Sequence, residues 1–197
     1  MKTADEVYFD LFRKSKEEWM SLFRDNADSI ETSVSVYLLL KKMMTADADD
    51  RTLFKWIFLQ YYGVRRHNRK DKEEKLFSLL DRDIKQDLGL ARLFVYYIND
   101  DESSSSYFSY VTKILNMRNE DYFPIFDSRI AKNVFGCDNI TTLDDKEECY
   151  RRIKDLYDRI PSEDVSIVAF KEEFPQSAQL GKMRILDLML YNTVKKK

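Results

Sequence analysis

Four glycines and three prolines in 197 residues leave little material for turns. Typical shares are roughly 7% and 5%. A sandwich or barrel of many strands needs a turn every few residues, so those folds are excluded. A collagen-like repeat and a disordered linker chain are excluded on the same ground. The scarcity also removes the glycine-rich phosphate loops, since neither G-x-G-x-x-G nor G-x-x-x-x-G-K-[ST] occurs. Apolar residues recur instead at helical spacing along almost the whole chain. No segment alternates with period two over six or more residues, and no fixed-period repeat is visible. The expected fold is all-α, with nine or ten helices in one compact domain over 1–197.

The pattern places the helices. A first segment carries Val7, Leu11, Trp19, Leu22 and Phe23 between charges. Asp28 or Ser29 is positioned to cap a second, with Val34, Tyr37, Leu38 and Lys41. Residues 45–50 read as a loop, and Asp49 or Asp50 precedes an apolar helix over 52–62 that Gly63 stops. Helices follow around 71–81 and 84–98, then a polar break at 99–106 and a helix from Tyr107 to Asn119. Three more lie near 143–159, 163–173 and 178–193, with Pro161 and Pro175 between them.

Net charge is −2, from 33 basic and 35 acidic residues, which excludes a histone-like polycation but permits a local basic face. The longest apolar runs, 36–40 and 93–98, fall far short of the ~20 residues of a membrane span. The N-terminus has no uninterrupted apolar core of a signal peptide. Two cysteines, Cys137 and Cys149, are too few for a disulfide scaffold. They stand twelve apart without a C-x-x-C or a histidine partner and read as half-buried structural thiols. The expectation is a cytoplasmic protein with no cofactor, no metal and no membrane partner.

The only histidine, His67, reads as an exposed loop residue without a nucleophile nearby. Paired carboxylates such as Asp49/Asp50, Asp144/Asp145 and Glu172/Glu173 point about 100° apart on a helix and read as solvated faces. Arg65, Arg66, Arg69 and Lys70, with Lys72, crowd one short stretch. A phosphate backbone is one natural counterpart. The other reading is a solvated loop partly neutralised by Asp71, Glu73 and Glu74. The sharpest local signal is FPIFDSRIAKNVFG (123–136). Pro124 holds the chain extended, Phe123, Ile125 and Phe126 are apolar enough to be buried, and Asp127 stands before a short helix ended by Gly136. Asp127 reads first as a helix cap and second as a carboxylate aimed into a cleft, with Arg129 and Lys132 a turn away.

The stretch YVTKILNMRNEDYFPIFDSRIAKNVF (110–135) resembles the segment around the catalytic aspartate of the helix-hairpin-helix DNA glycosylase superfamily. There an apolar helix, a loop and an apolar extended stretch lead to Asp, then Thr or Ser, any residue, and Val or Ile. Asp127, Ser128, Arg129 and Ile130 follow that order. MRILDLMLYNTVKK (183–196) is similar to a C-terminal helix R-x-[LIV]-D-x-x-L-[WY] of relatives of this superfamily. The chain departs from the family at the hairpin, where L-P-G-[VI]-G-x-K-[TS]-A is replaced by SSSSYFSY (103–110). The position of the family's catalytic lysine falls near Ser109, and Lys113 is expected to point elsewhere on its helix.

The resemblance implies two helical lobes with a cleft, a central lobe over about 30–136 and the remainder from 1–29 and 137–197, with Asp127 at the cleft edge. It implies a DNA-binding protein with monofunctional base excision, in which Asp127 assists hydrolysis of an N-glycosidic bond. Arg129, Lys132, Arg65, Arg66, Arg69, Lys70 and Ser109 would hold nucleic acid, and Tyr107 and Tyr110 would stack on a base or else belong to the core. The alternative is a catalytically inactive binding or interaction protein of the same fold.

Overall fold

The computed structural model describes residues 1–45, 48–63, 70–101 and 104–193. These form eleven α-helices and no strand: α1 (Ala4–Leu11), α2 (Lys16–Arg24), α3 (Ala27–Met44), α4 (Ala48–Tyr61), α5 (Lys70–Ser78), α6 (Leu90–Asn99), α7 (Phe108–Arg118), α8 (Ser128–Phe135), α9 (Leu143–Arg159), α10 (Val165–Glu173) and α11 (Lys182–Thr193). The helix count exceeds the expected nine or ten because the first apolar segment is two helices. Thr3 and Ser15 each close a capping box, with Glu6 and Glu18, so each begins its own helix.

Four boundaries differ from the sequence pattern, the first being α6, which starts at Leu90 and not near 84. α3 starts at Ala27, leaving Asp28 and Ser29 inside its first turn instead of capping it. Asn26, which precedes it, turns its amide back to the Leu22 carbonyl at 2.8 Å. α4 begins at Ala48, so Asp49 and Asp50 lie within the helix and not before it. α11 is delayed to Lys182 because Pro175 opens a 3-10 turn over Pro175–Gln179.

The ends of the chain pack together: α1 lies against α8 and α9, α2 against α10, and α11 against α3, α10 and α8. Phe23 meets Phe170 edge-on, with ring centres 5.2 Å apart. The Lys2 amide donates to the last carbonyl of α8, Phe135, at 2.7 Å. α8 itself buries Ile130, Ala131, Val134 and Phe135 and exposes Ser128 and Lys132. Each large apolar side chain buried there contributes roughly 1.5–3 kcal/mol. Gly136 ends the helix at φ +67°, a conformation that favours glycine.

Candidate functional site

One face of α7 organises the site. Ser109, Thr112, Lys113 and Asn116 follow one another at spacings of three, one and three, which puts them on a common stripe. Three of them hydrogen-bond the extended chain before α8. The Asn116 amide donates to the Phe123 carbonyl at 2.6 Å, the Phe126 amide donates to the Thr112 hydroxyl at 3.1 Å, and the Ser109 hydroxyl donates to the Phe126 carbonyl at 3.0 Å. An extended segment has no ladder of its own, so these polar side chains satisfy backbone groups that burial would otherwise strand. Phe126 is wedged at the same place against Phe108, edge-on at 5.3 Å.

This scaffold delivers Asp127 to the start of α8. Its Oδ1 accepts from the amides of Arg129 at 2.8 Å and Ile130 at 3.4 Å, so the expected cap is present. The side chain is half-buried and also lines a cavity of about 380 Å³. That is within the range of about 300–1,000 Å³ of small-molecule sites. Capping and facing a cavity, read as alternatives in the sequence, occur together.

α11 supplies the opposite wall. Arg184, Asp187, Leu188 and Tyr191 line the same cavity, at spacings that place them on one side of the helix. Arg184 and Asp187 are 3% and 4% exposed and form an ion pair at 2.5 Å. The Arg184 guanidinium sits over the Tyr37 ring, 4.3 Å from its centre, and the Tyr37 hydroxyl donates to Asn116 Oδ1 at 2.8 Å. α11 is thereby tied to α7 through α3. Its start is held where the Met183 amide donates to the Glu120 carbonyl at 3.1 Å.

Lys113 completes the charged lining. It does not point elsewhere, as the sequence reading held. Residues four apart on a helix share a face, so Lys113 reaches back over Ser109, and its ammonium donates to the Ser109 hydroxyl at 2.5 Å. It also lies over the rings of Tyr62 and Tyr110, at 5.1 and 5.7 Å. Burial pushes its proton affinity down, against the pull of Asp127 and Asp187. Asp187 is displaced the other way, to about 6, chiefly by burial; the Asp127 charge adds to this and Arg184 opposes it. Burial likewise raises the hydroxyls of Tyr62 and Tyr191.

The remaining sequence-derived residues distribute unevenly. Arg129 packs its guanidinium on the Tyr191 ring at 4.2 Å and so borders the cavity without lining it. Lys132 and Lys70 are exposed on α8 and α5. Arg65, Arg66, Arg69 and His67 lie outside the described residues. Ser109 holds the Phe126 carbonyl and the Lys113 ammonium. Tyr107 and Tyr110 stack edge-on at 6.0 Å near the cavity, whose aromatic lining is Tyr61, Tyr62 and Tyr191 instead. Cys137 and Cys149 are buried at 4% and 2%, not half-buried, and burial followed by the Cys137 contact pushes the Cys149 thiol up to about 12. Among the described residues no His, Cys, Asp or Glu cluster is placed to hold a metal ion. No described helix is long and apolar enough to cross a membrane.

No family model, curated protein or solved structure matches this chain.

Proposed function

We propose that the protein binds DNA and releases a base by hydrolysing its N-glycosidic bond at the cavity that Asp127 lines. One observation carries the reading. The two segments that resemble the glycosylase superfamily are far apart in the chain, yet Asp127 from the first and Arg184, Asp187 and Tyr191 from the second line one cavity. Unrelated coincidences of sequence have no reason to converge in space.

In this reading a flipped base enters among Tyr61, Tyr62 and Tyr191, whose rings offer stacking faces. Asp127 keeps one oxygen on the α8 amides and turns its charge toward the sugar. That carboxylate stabilises positive charge growing at C1′ and accepts a proton from the attacking water. Exposed Lys132 and Lys70, with Arg65, Arg66 and Arg69, would meet phosphate.

The placement of Lys113 favours a second reading, in which its amine displaces the base and forms an imine with C1′. A buried lysine with lowered proton affinity is more readily the neutral nucleophile such a step needs.

Single-turnover base release from duplexes with neutral or alkylated purines tests both. Hydrolysis predicts loss of release in Asp127→Asn and no borohydride-trapped adduct. The imine reading predicts an adduct that Lys113→Gln abolishes. Absence of duplex binding at low salt and micromolar protein overturns both and leaves the inactive binding protein of the same fold.

A further inference from the structure

A purely structural ion pair would have both ends of its carboxylate satisfied, because an unpartnered buried oxygen is costly. Asp187 is not satisfied in that way. Its Oδ2 accepts from Arg184, while its Oδ1 and the Arg184 Nε are buried with no hydrogen-bond partner among the described residues. Both side chains line the cavity. Asp187 faces Arg184 and Tyr191 on its own helix, Lys113 from α7, Asp127 at the start of α8, Tyr62 beyond α4 and Tyr157 from α9. The cavity therefore holds two carboxylates in unlike settings. One rests on backbone amides, and the other is buried beside Arg184 and Lys113 with one oxygen unpartnered among the described residues.

We propose that Asp187 is the proton donor of this cavity, protonating a neutral purine as it departs while Asp127, held on the α8 amides, accepts the proton of the attacking water. The inference rests on the hydrolytic reading above and goes further by giving the leaving group its proton. The C1′–N bond breaks and its electron pair stays with the purine. The Asp187 proton passes to a ring nitrogen of that purine, and the new carboxylate remains paired with Arg184. Water adds to C1′ and gives its proton to Asp127. Burial supports the assignment, since it holds the Asp187 proton to about 6, near the working range of a general acid.

The test compares two duplexes under single turnover, one carrying a neutral purine lesion such as hypoxanthine and one carrying 7-methylguanine. The second base is already cationic and leaves without an added proton. Asp187→Asn is expected to slow release of the neutral purine by roughly 10²–10⁴-fold more than it slows release of 7-methylguanine. Asp127→Asn is expected to slow both. Equal effects of Asp187→Asn on the two bases, or wild-type release of the cationic base alone, overturn the proton-donor role and leave the hydrolytic reading standing. Release of neither base by the wild type overturns that reading and this one with it. Because Asp187→Asn strands a buried guanidinium and can fail to fold, the wild-type Asp187 carboxyl is also titrated by ¹³C NMR. A midpoint near 6 is expected, and a midpoint in the range of exposed aspartates overturns the proposal whatever the variant does.

Discussion

Asp127 and Asp187 are the same side chain in two constructions. Asp127 stands at a helix N-terminus, half-buried, with one oxygen on two backbone amides. Asp187 sits in the middle of α11, 4% exposed, with one oxygen on a buried guanidinium and the other on nothing among the described residues. The cap of the first is made by amides two and three residues on in the chain. The second is surrounded by side chains from α7, α9, α11 and the residue after α4. An amide in place of the first keeps a capping oxygen, whereas an amide in place of the second removes the counter-charge of a buried guanidinium.

Stability measurements should separate the two most widely. Asp187→Ala leaves Arg184 buried without its counter-charge and is expected to cost about 3 kcal/mol in urea unfolding. Asp127→Asn is expected to cost only about 0–1 kcal/mol, because Asn caps nearly as well as Asp. Equal losses would mean that Asp127 is also held by packing.

A pH series sharpens the contrast. The Asp187 carboxyl has its ordinary value near 3.8 raised to about 6 in the folded protein. The folded state therefore binds the extra proton between these values, and stability falls as pH rises. The contribution is full below about 3.8 and gone above about 6, and it amounts to at most about 3 kcal/mol at 1.36 kcal/mol per unit. Wild type minus Asp187→Asn, measured by denaturation across that window, should show this slope. Asp127→Asn should move the Asp187 midpoint down, because the neighbouring charge that raises it is removed.

Gly181 lets the start of α11 approach the loop after α7 closely. A Cβ there would run into Glu120 Cγ and come within 2.7 Å of Asp121 Oδ1 and 2.8 Å of the Glu120 carbonyl carbon. Gly181→Ala is expected to cost about 2 kcal/mol by forcing α11 away from this loop. It should also lower the Asp187 midpoint, since a loosened α11 admits water. Unchanged stability would show that the loop yields freely. The smallest expected change lies away from the cavity. Asp100 ends α6 at φ +54°, where glycine is unstrained. Asp100→Gly is expected to gain about 0.5 kcal/mol in thermal or urea unfolding, with the exposed Lys75 pair contributing little in the other direction.

The parts of the site that could be read from the chain were the contiguous ones. Pro124, the apolar run 123–126, Asp127 and Gly136 announced an extended approach, a cap and a stop, and all three are present. Lys113 was misread although the signal was there, since its four-residue offset from Ser109 places both on one face, and the polar stripe with Thr112 and Asn116 repeats it. The aromatic lining was not legible. Tyr61, Tyr62, Tyr107 and Tyr110 all sit at helical spacing in apolar stretches, and nothing local separates a ring in a cavity wall from one beside it. The start of α3 was missed because Asn26 is spent on the preceding helix.

Helix periodicity, the Asp127 cap and the exclusion of strand-rich folds came from the sequence alone, because they depend on composition or on contacts a few positions apart. The meeting of Lys113, Asp127, Arg184 and Asp187 around one cavity was decided only when α7, α8 and α11 packed together. The same step buried Asp187 and so set its proton affinity, because desolvation is a property of everything that surrounds a group and not of the residues beside it in the chain.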